Sequence, residues 1–201
     1  MNAETILSVL VGIGLSAACG FRVFVPLLVM SIASLSGHLT LSSSFGWIGT
    51  YPALLAFAAA TVAEIAGYYL PWVDHLLDTI ATPAAVVAGI IAMGSTVVGV
   101  SPFLRWSLAI IAGGGVAATI QAVTGLARVT STAATAGLGN PVVSTIEAVG
   151  ATVFSVLAII IPVLCIAALA IFLALVFGPG RALRQRIRSQ TSERETSKKS
   201  V

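Results

Sequence analysis

Charge is what this chain holds least of. Only 8% of its residues are Asp, Glu, Lys or Arg, while 58% are hydrophobic. Soluble domains carry roughly a quarter charged residues, which they need to cover their surface. A water-soluble fold of 201 residues is excluded on that ground. Cysteine and histidine are nearly as sparse, at two each. Cys19 and Cys165 both fall inside apolar stretches, where they read as small hydrophobes rather than a disulfide or metal pair. No CxxC and no His/Cys ligand cluster is present, so no metal or other cofactor is expected. G-x-S-x-G, H-E-x-x-H and phosphate-cradling loops are missing as well, and no catalytic residue is assigned.

The few charges are unevenly placed. Residues 1–180 hold three cations (Arg22, Arg105, Arg128) and five acids (Glu4, Glu64, Asp74, Asp78, Glu147), whereas residues 181–201 hold seven cations and two acids. Arg181, Arg184, Arg186 and Arg188 directly follow a long apolar run. A basic flank in that position holds membrane orientation and touches anionic lipid headgroups; nucleic acid is not expected as a partner. The domain reading is a membrane bundle over 1–180 and a basic, disordered cytoplasmic tail over 181–201. The N-terminal segment lacks the positive start of a signal peptide and stays apolar beyond Cys19, so it is expected to be retained.

Long apolar runs fill the body. Ile6 to Leu35 is interrupted by Gly20, Arg22 and Pro26; thirty helical residues would reach about 45 Å, against about 30 Å of hydrocarbon, so a break near Gly20–Pro26 is expected. Gly37 to Gly49 reads as an interfacial loop with Trp47 at headgroup level. Thr50 to Tyr69 is a second span. Pro71 to Thr82 reads as a short amphipathic helix that Pro83 limits. Ala84 to Val100 and Trp106 to Leu126 are the third and fourth spans, joined at an interface marked by Arg105-Trp106. Arg128 to Asn140 reads as a Thr/Ala/Gly-rich connection. Val142 to Phe177 is long for one span, and Pro162 invites a split. The fold class is an all-α integral membrane bundle of about five transmembrane helices, within a range of four to six, with broken or kinked helices.

An ionisable group inside an apolar segment costs roughly 2.5–3.5 kcal/mol on insertion, so such groups face protein or water. Arg22, Glu64, Asp78, Arg128 and Glu147 are therefore the candidate site, as a polar path or as ion pairs that hold the helices in register. Asp74 and Asp78 share one helix face, with His75 beside the first; a polar membrane-surface face accounts for Asp74 and His75, while Asp78 stays open. His38, in a Gly/Ser loop, reads as solvated. A weak internal repeat sets Gly20-Phe21-Arg22-Val23 beside Gly125-Leu126-Ala127-Arg128-Val129, and Pro71…Asp78 beside Pro141…Glu147. Interrupted segments at matching places in two halves point to transporter binding sites.

Three stretches carry a family resemblance: Gly14-Leu15-Ser16-Ala17-Ala18-Cys19-Gly20-Phe21-Arg22-Val23-Phe24-Val25-Pro26, Pro71-Trp72-Val73-Asp74-His75-Leu76-Leu77-Asp78, and Gly137-Leu138-Gly139-Asn140-Pro141-Val142-Val143-Ser144-Thr145-Ile146-Glu147. Together they resemble the bacterial membrane family catalogued as domain of unknown function 4126, over roughly residues 5–178. The resemblance implies a multi-pass protein of the bacterial inner (plasma) membrane and supplies no substrate; it is the basic tail that places the C-terminus in the cytoplasm.

The functional expectation from the charges is a small carrier or channel for an ion or small solute. The alternative is a non-transporting assembly or lipid-organising subunit with structural ion pairs. In that alternative the small-residue faces at Gly113–Gly115 and Gly89/Gly94 would pack partners or a homo-oligomer.

Overall fold

A computed structural model describes residues 2–67 and 71–178, with the side chains of residues 71, 72, 74–76 and 78 left aside. The chain divides into two compact units, Met1–Ile166 and Ala167–Val201. Every described element is helical: α1 (Ala3–Phe21), α2 (Phe24–Leu35), a 3-10 segment (Ser43–Gly49), α3 (Tyr51–Gly67), α4 (Pro71–Thr96), α5 (Pro102–Leu108), a π segment (Ala109–Gly114), α6 (Gly115–Thr135) and α7 (Asn140–Ile160). A further apolar helix, α8 (Pro162–Gly178), follows. Four of the helical stretches are long and apolar enough to cross a bilayer, or five if the 3-10 segment and α3, bent by 64°, count as one broken span. The chain is an all-α membrane bundle.

The first apolar run does break where glycine, arginine and proline coincide. Arg22 leaves the helix with φ −148° and ψ 136°, while its N–H still donates to Ala18 O. α2 then starts two residues later, with Pro26 in its first turn, where a missing N–H costs nothing. The break is a reversal. α1 passes Ala158 at Gly14 and reaches Ser144 at Arg22, so it runs antiparallel to α7. α2 runs back, and its end (Ala33, Ser36) lines a groove with Ile159 and Ile160 at the end of α7. With 12 residues, α2 is about 18 Å long and too short to span. Its return is completed inside the protein: Ser31 Oγ donates to Ile48 O at 2.7 Å, and Ser42 N–H donates to Ser95 O at 2.8 Å. The segment read as an interfacial loop therefore holds a 3-10 helix that buries Phe45 and Ile48, although Trp47 stays half exposed.

Two further expectations are corrected. Pro83 does not limit a short helix; α4 continues through it from Pro71 to Thr96. A proline inside a membrane helix is tolerated where neighbours and hydroxyls satisfy the freed backbone groups. Arg128–Asn140 is not a loop either, because α6 runs on to Thr135 and turns only at Ala136 and Gly137, both with positive φ. Ala, Thr and Ser in that stretch looked loop-like by composition, but burial of Arg128 on the helix gives it a tertiary reason to stay helical. The split at Pro162 is present: α7 ends at Ile160 and Ile161 leaves helical geometry.

α1 is the central helix, and its small residues explain how three neighbours reach it. A Cβ on Gly14 would lie 2.7 Å from Ala158 Cβ, and one on Gly20 would lie 2.6 Å from Ala117 O. Gly12 faces Met93, and Ser16 Oγ donates to Gly89 O at 2.9 Å. α4 meets the π segment in the same close manner, since a Cβ on Gly113 would lie 2.6 Å from Gly89 O. The small faces at Gly89, Gly94 and Gly113–Gly114 are thus occupied by contacts within the chain rather than left for a partner; Gly115 alone of that group meets nothing. Cys19 and Cys165 are free and buried.

Gly113→Ala is expected to destabilise the bundle by about 1–3 kcal/mol, because the new methyl group meets rigid backbone rather than a flexible side chain. Gly115→Ala, on the open side of the same helix, is expected to be neutral or slightly stabilising. Unfolding of both variants in detergent checks the contrast.

Candidate functional site

Arg22 at the C-terminal end of α1, Arg128 of α6 and Glu147 of α7 gather at one end of the bundle, with Glu64 of α3 beside them. α7 brings Asn140, Ser144, Glu147, Ala151, Ser155 and Ala158 onto one buried stripe, polar near its start and small further along. The spacing follows the 3.6-residue period of a helix. α1 lies against this stripe, and Phe21 stacks on Phe154 with ring centroids 5.5 Å apart. Arg22 is thereby delivered to the polar end.

Glu147 is the hub. Its carboxylate accepts Arg128 Nε at 2.9 Å and also Arg128 Nη2, a two-pronged pairing that suits the guanidinium fork. Arg22 Nη2 lies 3.5 Å from Glu147 Oε2 and donates to Ser144 O at 2.9 Å and to Ser144 Oγ. Arg22, Arg128, Ser144 and Glu147 are all buried. Ions so placed persist only when paired and hydrogen-bonded, because desolvation is costly and the geometry must compensate. Nearby, Asn140 exchanges hydrogen bonds with Thr132, which ties the start of α7 to the end of α6.

Glu64 does something different from the ion pairing that charge balance suggests. Its two oxygens accept the backbone N–H of Val23 at 2.8 Å and of Phe24 at 3.1 Å. These are first-turn donors of α2 that have no partner within that helix. A carboxylate there also opposes the positive end of the α2 dipole. Glu64 therefore acts as the N-terminal cap of α2, supplied from α3.

A cavity of about 380 Å³ opens beside this arrangement, lined by Arg22, Glu64 and Gln121 together with apolar residues of α4 such as Leu77 and Ile80. Four of the five sequence candidates are thus placed. Arg22, Arg128 and Glu147 meet directly, and Glu64 shares the cavity with Arg22. Asp78 falls in the same stretch of α4 as Leu77 and Ile80, but its side chain lies outside the described residues, as do those of Asp74 and His75. The basic tail with Arg181 lies outside them too. His38 is exposed and pairs with Ser36. Arg105 joins no ion pair among the described residues and stands half-buried on α5. Arg22 and Arg128 converge on one acid, and only the first of them stands at a helix break.

Ser144 and Gln121 were not among the sequence candidates. The i, i+4, i+7 spacing of Asn140, Ser144 and Glu147 could have marked Ser144 as sharing a face with the acid. Gln121 carried no comparable pattern.

Removing one partner of a buried ion pair typically costs 3–5 kcal/mol. Glu147→Gln is expected to fall in that range, because two arginines lose their carboxylate at once. Ser144→Ala should cost less, about 1–3 kcal/mol, since Arg22 keeps the Ser144 carbonyl. A double-mutant cycle on Arg128→Gln and Glu147→Gln, followed by unfolding in detergent, should show a double variant less destabilised than the sum of the two singles.

Residues 9–179 match the family described as Domain of unknown function (DUF4126). No curated protein and no solved structure matches the chain. A match over that length, joined to a bundle of several apolar helices, makes this chain a multi-pass membrane protein belonging to the Domain of unknown function (DUF4126) family.

Proposed function

We propose that the chain is a small carrier or channel for an ion or small solute, with its binding site at the reversal between α1 and α2. One observation carries this reading: a cavity of about 380 Å³ lies against a broken helix and is lined by Arg22, Glu64 and Gln121. Broken helices in membranes place backbone polar groups where only protein or a water-filled cavity can satisfy them. Intramembrane ionisable residues mark solute pathways more often than not. Arg128 and Glu147 extend the polar region behind Arg22.

A scaffold reading rests on a different feature. Glu147 is saturated by Arg22 and Arg128, and such a closed cluster needs no ligand to be stable. On that reading the protein organises a partner or lipid and transports nothing. The cavity favours the first reading, because ion pairs made only for structure leave no reason for Gln121 to face open space.

Thermal unfolding of the purified protein against ions, pH values and small polar metabolites separates the two. A ligand of the folded state stabilises it by about 2.7 kcal/mol at a hundred times its dissociation constant. The expected result is a saturable shift with at least one compound, absent in Gln121→Leu, and flux of that compound into liposomes holding the wild-type protein. If no compound shifts unfolding and the liposomes are no leakier than protein-free ones, the carrier reading fails and the scaffold reading replaces it.

A further inference from the structure

The polar cavity has a neighbour. Val23, Phe24, Ile80 and Ala84 line both it and a second cavity of about 530 Å³. The walls of that second space, from Leu27, Phe57, Pro83, Val87 and Ile91, are apolar throughout. The two together run along α4 from Val73 to Ile91, about 27 Å at the helical rise. Both volumes fall in the range of ligand pockets. The result is a pair of adjoining cavities with hydrogen-bonding groups at one end and hydrocarbon walls at the other.

Three features describe what would fit. The polar end offers Gln121, whose carboxamide makes no hydrogen bond among the described residues and can both donate and accept. Among the described residues, the charged groups that line it are Arg22 and Glu64, one of each sign. The apolar end lies between the short α2, α3 and α4; Val87 there is 54% exposed on the outer surface of the bundle, which for a membrane protein is the lipid side. A ligand with a long tail can therefore enter sideways from the bilayer.

We propose that the site at the α1–α2 reversal takes a single-chain amphiphile with an uncharged hydroxyl-bearing head, the head at Gln121, Arg22 and Glu64 and the tail along the Ala84–Ile91 stretch of α4. This rests on the reading of the Arg22–Glu64 cavity as a binding site and narrows its substrate class. A purely polar solute would leave the larger, apolar part of the space unfilled. A lipid with a charged headgroup of either sign would meet a like charge among the described lining groups, Arg22 or Glu64.

The test uses the full chain in lipid nanodiscs and a series of monoacylglycerols from octanoyl to stearoyl, with glycerol and the matching lysophosphatidylglycerols as comparators. Saturable stabilisation against heat is expected to grow with acyl length and to level off, with glycerol inert and the anionic series at least tenfold weaker. Gln121→Leu should abolish the monoacylglycerol shift. Ile91→Trp, which shortens the apolar end, should move the preferred acyl length downward without abolishing binding; loss of folding cannot mimic that change in selectivity. If glycerol or other small polar compounds stabilise as well as the long-chain series does, the polar-solute reading stands and the amphiphile inference falls. If length-dependent binding survives Gln121→Leu unchanged, the tail groove binds alone and both the headgroup placement and the polar-site reading are overturned. A response of Ile91→Trp identical to wild type overturns the tail placement.

Discussion

The reversal at Arg22 and Val23 is the constraint on which the rest of this structure depends. A helix that turns back inside the bundle leaves the first amide groups of its second arm without partners of their own, and a buried site must satisfy them from the protein. Glu64 meets that need by accepting Val23 and Phe24 N–H from a neighbouring helix. Once α2 is held there it is too short to span, and the chain must re-enter through the 3-10 segment before α3 can carry Glu64 to its place. The cap and the path that delivers it are mutually dependent. The same break frees Arg22 from α1 and directs it to Ser144 and Glu147 on α7.

Around that reversal the bundle solves two packing problems with different chemistry. Close to the charged end, helices are tied by hydrogen-bonded ions, which in a dry interior tolerate little misplacement. Further along α1, the ties are van der Waals contacts made possible by missing side chains: Gly14 against Ala158, Gly20 against Ala117 and Ile120, and Gly89 against Gly113. Without a hydrophobic drive between helices in lipid, close backbone approach is the available source of cohesion. The π segment at Ala109–Gly114 sits at the last of these crossings, where a local change of helical pitch accompanies the approach of Gly113 to the Gly89 carbonyl.

Several elements were legible in the residues themselves. Scarce charge and long apolar runs are properties of composition, and hydrocarbon imposes helices on them whatever the partners. Gly20, Arg22 and Pro26 announce a break because each opposes a continuous apolar helix for its own local reason. Pro162 does the same for the last run. The misread elements share a cause. Pro83 and the Thr/Ala/Gly-rich stretch after Arg128 look like helix ends by local propensity, but both lie in helices. At Arg128 the decisive term is a buried ion pair that needs the helix to position it.

The sequence by itself determined that these residues live in a membrane, where the first apolar run breaks, and which few ionisable groups have to find partners there. Only the tertiary structure decided who those partners are. Charge balance allowed Glu64 to pair with an arginine, yet it caps α2, because a helix N-terminus buried in the bundle presents donors that no residue count reveals. It also decided that Arg22 and Arg128, 106 positions apart in the chain by their numbers, share Glu147. Local sequence sets which backbone shapes are affordable; which side chains then meet is settled by packing, in which every helix answers to several others at once.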